Sequence, residues 1–196
     1  LNDCIRLGFV SADFRDHPVG YFLENLLKHL NKKKVVCLAF SNSPEETELT
    51  RRIKSHFREW HSIYGMRDAD AASLIYDAKP DVLIDLSGHT GGNRLPVFAL
   101  KPAPIQATWL GYFASTGIDA IDFIIGDKFV TPFDSQHEFT EKIIQLPGCY
   151  LCFSEPDFNV EIGPTPAAKN KYITFGCLNR ADKISKGLDS LLINSS

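Results

Sequence analysis

The stretch "DVLIDLSGHTGGNR", residues 81–94, decides the fold. Val82 to Leu86 is a short apolar run, as in a strand covered on both faces. It breaks at once into Ser87, Gly88, His89, Thr90, Gly91 and Gly92. Two readings follow: a plain connection from strand to helix, or a loop in which chemistry takes place. Either one makes Val82–Leu86 a parallel strand of an α/β fold, where ligands meet the loops beyond the carboxyl ends of the strands.

Upstream, the same grammar repeats. "CIRLGFVSAD" is strand-like, and residues 19–30 carry Phe22, Leu23, Leu26, Leu27 and Leu30 at helical spacing. "KVVCLAF" (34–40) is a buried strand. Ser43 and Pro44 predict a helix start, with the helix running to about residue 57. "EWHSIY" is a short strand, and residues 67–79 a helix with Asp68 or Asp70 near its N-cap. Downstream, strands are expected at 105–110, 121–127 and 140–148. Alternation of this kind predicts a parallel sheet with helices on both faces. Residues 154–170, with three prolines and no periodicity, read as a linker. "YITFGCLNRADKIS" then restarts strand, turn and helix, the opening of a second α/β domain over 171–196.

Composition bounds the partners. The 196 residues are 44% hydrophobic and 23% charged with a formal net charge of −3, ordinary values for a globular chain. No Lys/Arg stripe asks for nucleic acid, and no apolar stretch reaches the roughly 18 residues a bilayer span requires. The N-terminus lacks a basic region, apolar segment and cleavage site, so no signal peptide is read there. Leu1 in place of Met, and an ending in "LDSLLINSS", predict that both ends are boundaries within a longer protein. The five cysteines are an odd number and fit free thiols in a reducing cytoplasm. Cys4, Cys37 and Cys177 read as small core residues. Cys149 and Cys152 form a CxxC that lacks a second pair for zinc.

Three loops carry candidate chemistry. In "SADFRDHPVG", Pro18 keeps His17 out of helical geometry and suits the first turn that follows. His17 then stands at a helix N-terminus, where anions are favoured, or is simply a capping residue. In the opening stretch, Asp85 and His89 form an acid/base pair, or polar contacts to a sugar, or only a turn cap beside an exposed ring. In "WLGYFASTG", Gly111, Ser115, Thr116 and Gly117 suit close approach by a sugar, or form only a tight turn. Further on, Arg180 and Lys183 in "NRADK" suit a diphosphate or a solvated helix start. Neither a P-loop nor a GxGxxG motif is present. No acidic pair is placed as a metal anchor, so neither metal nor cofactor is expected.

These residues also carry a resemblance. "SADFRDHPVG", "DLSGHTGGNRLPVFALKPAPIQATWLGY", "STGIDAIDFIIGD" and "TFGCLNRADKIS" together are similar to the catalytic region of the O-linked N-acetylglucosamine transferase family, which includes the plant Spindly proteins and bacterial members with tetratricopeptide repeats. The similarity runs over about residues 4–190. It implies a GT-B fold, with residues 1–153 as its N-terminal Rossmann-like lobe and 171–196 as the start of the second lobe. It implies inverting, metal-independent transfer of N-acetylglucosamine from a UDP-sugar to Ser or Thr of a protein or peptide acceptor, in the cytoplasm. Helical repeats upstream and the rest of the second lobe are missing from this chain. By the same resemblance His17, Asp85, His89 and Lys183 are catalytic, and Leu110, Gly111, Thr116, Asn179 and Arg180 bind substrate. Lys183 would stabilise the departing diphosphate, and Lys183→Ala is expected to abolish transfer. Arg180 stands where animal members usually have Gln, and Phe113 where the family commonly has Pro. The competing readings are a non-catalytic binding module on the same fold, or another GT-B nucleotide-sugar enzyme.

Overall fold

The computed structural model describes residues 4–153, 161–174, 176 and 178. Among them, β1 (Ile5–Ser11), β2 (Val35–Ser41), β3 (Glu59–Ser62), β4 (Val82–Asp85), β5 (Ile105–Trp109), β6 (Phe123–Gly126) and β7 (Lys142–Gln145) form one sheet in the order β3-β2-β1-β4-β5-β6-β7. Every neighbouring pair is parallel. The chain adds strands outward from β1 to β3, then returns to the other side of β1 for β4. That reversal leaves a crevice at the carboxyl ends of β1 and β4.

Side chains that alternate along each strand enter two separate cores. Phe9, Cys37, Ala39, Ile84, Ala107 and Trp109 face α1 (Pro18–His29) and α2 (Glu48–Lys54). Val10, Leu38, Phe40 and Leu83 face α3 (Asp68–Asp77) and α4 (Leu95–Ala99). This three-layer arrangement explains the near-continuous apolar runs: neither face of the sheet is free for polar residues. Leu23 and Leu27 of α1 are 0% and 1% exposed, so burying each contributes about 2 kcal/mol. Phe14, Phe57 and Trp60 pack ring on ring beside them, with centroids 5.2–5.8 Å apart.

One helix start differs from expectation. The helix predicted from Ser43 begins only after Thr47, because Thr47 and Thr50 cap each other's backbone N–H reciprocally. The Ser43 hydroxyl instead accepts from the Glu45 N–H and closes a local turn. For α3 the N-cap is Arg67, and Asp68 and Asp70 lie in the first turn beside it, as expected; Asp70 grips the Arg67 guanidinium through two bonds of 2.8 Å. Helix α4 and a 3-10 turn at Phe133–Glu138 were not expected. Five or six residues are too few to display a period.

Buried Arg94 ties the loops after three strands together. It donates to Asp68 Oδ1, Asn42 Oδ1, Ile63 O and Met66 O, while Asn42 donates to Gly92 O. The chain divides into two units, Leu1–Glu155 and Pro156–Ser196. The second contains α5 (Pro166–Asn170), a single turn within the stretch read as a linker, closed by Lys171 in the left-handed region at φ 63°.

Candidate active site

The loop after β1 ends in His17, the N-cap of α1, with extended backbone at φ −149° and ψ 149°. Pro18 follows at the first helical position, as its fixed φ favours. The ring Nδ1 of His17 accepts the Val19 N–H at 3.3 Å, and the side chain is 40% exposed. Asp13, nearly buried, lies behind it with Oδ2 3.7 Å from Nδ1, beyond hydrogen-bonding range. The capping reading of His17 is what this geometry shows, and the residue stands at the positive end of a twelve-residue helix, where anions are favoured.

The loop after β4 turns on Asp85, which is 0% exposed. Its Oδ1 accepts the Ser87 N–H at 3.1 Å, and its Oδ2 accepts the Gly88 N–H at 2.7 Å and the Thr108 hydroxyl at 2.8 Å. Burial pushes this carboxyl above its usual range, against the pull of those three donors. Of the sequence readings for Asp85, this geometry is that of the turn cap. The carboxylate is occupied inside the protein and braces the turn that presents His89. Gly88 and Gly92 sit at φ 54° and 74°, which only glycine adopts without strain; Gly91 does not.

His89 is exposed, with Nε2 3.0 Å from the Thr116 carbonyl and its ring edge-on to Tyr112 at 6.2 Å. Thr116 belongs to the loop after β5 and is 4% exposed. Its N–H and its hydroxyl both go to the carboxylate of Glu141, which also accepts from Ser115 Oγ. The Thr116 side chain thus holds the loop, and what it turns toward His89 is backbone. Leu110 likewise points into the core at 6% exposure, although its φ is 79°. A φ that positive is an outlier for a bulky residue, and such strain collects at functional sites. Gly111 is where two loops touch: a Cβ there would stand 2.2 Å from Leu86 O.

The loops after β1, β4 and β5 thus meet at one end of the sheet. A Cβ on Gly92 would meet Ala12 at 2.8 Å, and one on Gly88 would meet Tyr112 at 2.7 Å. His17, Asp85, His89, Leu110, Gly111 and Thr116 belong to this cluster. Asn179, Arg180 and Lys183 lie outside the described residues. Sequence reasoning missed Asp13, Thr108 and Glu141, whose roles depend on contacts across strands and leave no local pattern. A groove of about 650 Å³ lined by Ala72, Tyr76, Leu100 and Pro102 lies elsewhere, near the amino ends of β4 and β5. The strand-end cluster is the better candidate, because open parallel sheets bind ligands beyond the carboxyl ends of their strands.

Cys37 is buried, Cys4 is half-buried with its thiol 3.0 Å from Lys33 O, and Cys177 lies outside the described residues. Among the described residues no group of three or more His, Cys, Asp or Glu is placed to hold a metal ion. None of the described helices is long and apolar enough to cross a membrane.

Residues 1–156 match the family described as glycosyl transferase family 41. The chain is 35% identical over 185 residues to the probable UDP-N-acetylglucosamine–peptide N-acetylglucosaminyltransferase SPINDLY of Arabidopsis thaliana, an alignment covering 92% of this chain and 20% of that protein. It is 33% identical over 174 residues to the similarly described SEC of the same plant, covering 88% of this chain and 18% of that protein. A solved mutant O-GlcNAc transferase of Thermobaculum terrenum superposes with a TM-score of 0.75 at 37% identity, covering 79% of this chain and 30% of the other. The chain spans about a fifth of the length of the curated relatives it matches.

Proposed function

The chain belongs to glycosyl transferase family 41, and on that premise we propose that it is the N-terminal lobe of a protein O-glycosyltransferase moving N-acetylglucosamine from UDP-N-acetylglucosamine to Ser or Thr of a protein. The observation that carries this reading is the meeting of the loops after β1, β4 and β5 beside the β1/β4 reversal. A related fold with O-GlcNAc transferase relatives supports the choice of donor and acceptor.

In this reading the acceptor hydroxyl attacks the anomeric carbon in line with the departing diphosphate, and the configuration inverts. The charge that develops on the diphosphate is the main thing to stabilise, and preorganised positive groups do this without a metal. Lys183 takes that role, with Arg180 and Asn179 on the nucleotide side. The N-terminus of α1 adds its partial positive charge near His17. Leu110, Gly111 and Thr116 shape the sugar side through their backbone. Asp85 acts at one remove, by fixing the turn of His89. Tetratricopeptide repeats upstream hold the acceptor, the remainder of a second lobe completes the nucleotide site, and the enzyme works in the cytoplasm.

The test is glycopeptide formation by the intact enzyme that carries this chain, using UDP-N-acetylglucosamine and a Ser/Thr peptide library, read by mass spectrometry. Peptides gaining one N-acetylhexosamine are expected, and Lys183→Ala should lose that product without loss of folding. Transfer only from a different nucleotide sugar overturns the donor assignment; no transfer from any donor overturns the enzyme.

A further inference from the structure

Resting on the reaction just described, we propose that His89, and not His17, takes the proton of the acceptor hydroxyl. The two rings are anchored to the protein through opposite nitrogens, and this decides what each can offer a substrate.

His17 is held through Nδ1. Its partner is the Val19 backbone N–H at 3.3 Å, which can only donate. Nδ1 must therefore be an acceptor, and in the neutral ring the proton sits on Nε2. That edge has no partner among the described residues, so toward the crevice His17 shows a donor. To become a base at Nε2 the ring would have to move its proton to Nδ1 and give up the helix cap. Asp13 offers a place for that proton, but its Oδ2 is 3.7 Å away, farther than the bond already made.

His89 is held through Nε2. Its partner is the Thr116 carbonyl at 3.0 Å, which can only accept. Nε2 must therefore carry the proton, and Nδ1 keeps its lone pair. Nδ1 has no partner among the described residues, and the residue is exposed. The carbonyl is fixed in turn, because Glu141 binds Thr116 by its N–H and its hydroxyl. The ring is pinned from the side by Tyr112 and from below by the Asp85-capped turn. A rigid ring with an open lone pair is what general base catalysis requires.

The step balances as follows. The hydroxyl oxygen forms a bond to the anomeric carbon while the bond from that carbon to the diphosphate oxygen breaks. The nucleoside diphosphate leaves with the electron pair, and the hydroxyl proton goes to His89 Nδ1. The resulting imidazolium keeps its Nε2–H on Thr116 and returns the Nδ1 proton to solvent. Three titratable groups surround this ring: Asp85 at the foot of its own turn, Tyr112 across the edge, and Glu141 behind Thr116.

Two substitutions separate the histidines in the intact enzyme. His89→Gln keeps a donor for Thr116 but removes the basic lone pair. It should lower kcat by about 10²–10⁴-fold and abolish the rising limb of the pH–rate profile. His17→Asn keeps a good helix cap and an amide donor; it should retain that limb and act mainly on KM. Survival of the limb in His89→Gln, or its disappearance in His17→Asn, overturns the proposal. Independently of turnover, long-range 1H–15N spectra of histidine-labelled enzyme should show a bare Nδ1 on both neutral rings. A proton on Nδ1 of neutral His89 overturns it as well. If the wild-type enzyme makes no glycopeptide, the proton step falls with the reaction, while the nitrogen spectra still judge how each ring is anchored.

Discussion

The carboxylate of Glu141, just before β7, accepts both the backbone N–H and the hydroxyl of Thr116, which lies in the loop after β5. Glu141 is 0% exposed and Thr116 is 4% exposed, so this link between two loops is made away from water. Removing the acceptor strands a buried N–H, at a cost of about 1–3 kcal/mol. Glu141→Ala is therefore expected to lower stability by about 2 kcal/mol in urea unfolding. Glu141→Gln retains one carbonyl oxygen for Thr116 and should lose less than half of that. Equal losses in the two variants would mean that the negative charge of Glu141, and not an acceptor oxygen for Thr116, carries the stabilisation.

Gly111 and Gly91 make a matched pair. A Cβ on Gly111 would stand 2.2 Å from Leu86 O and 2.8 Å from Ser87 Cα, both backbone atoms that cannot swing aside. On Gly91 it would meet nothing within 4 Å. Gly111→Ala should destabilise by about 1–3 kcal/mol, and Gly91→Ala should fall within about 0.5 kcal/mol of the wild type. Thermal or urea unfolding of both variants checks the contrast, which disappears if the loops after β4 and β5 are not in contact.

Glu24 gives the chain a defined acid sensitivity. Arg52 donates to it at 2.8 Å and 3.3 Å, and this holds the Glu24 carboxyl below its usual range despite partial burial. A depressed folded value means that the native state binds fewer protons than the unfolded one. The stabilisation is thus complete above the ordinary glutamate range and is lost as pH falls through the folded value. Arg52 is 42% exposed, so solvent screening limits the effect to about 1 kcal/mol. Glu24→Gln should lower the urea midpoint at neutral pH and leave it nearly unchanged at strongly acid pH. A constant difference across the range would contradict the linkage.

The cysteines should differ in reactivity. Burial pushes the Cys37 thiol up to about 11, whereas Cys149 is exposed. Thiolates, not thiols, attack labelling reagents. At mildly alkaline pH a disulfide reagent should modify Cys149 first and reach Cys37 only on unfolding, as peptide mapping would reveal. Early labelling of Cys37 would mean that β2 opens locally.

Much of the fold was legible because its determinants are local. Apolar runs such as Val82–Leu86 and the helical spacing of Leu23 and Leu27 announce themselves within a few residues, and each strand and longer helix followed from them. His17 was legible as a helix-capping residue because Pro18 constrains it directly. The start of α2 was misplaced because the Thr47–Thr50 cap outcompeted the equally plausible Ser43 signal. The candidate site divides along the same line. The sequence by itself determined which loops follow which strands, and which of them carry imidazoles and glycines. Only the tertiary structure decided that β4 returns to the side of β1, that Asp85 is buried as a brace, and that His89 leans on a carbonyl held by Glu141. The physical reason is that strand order and loop-to-loop hydrogen bonds are set by contacts between residues distant in sequence, and these leave no periodic trace along the chain.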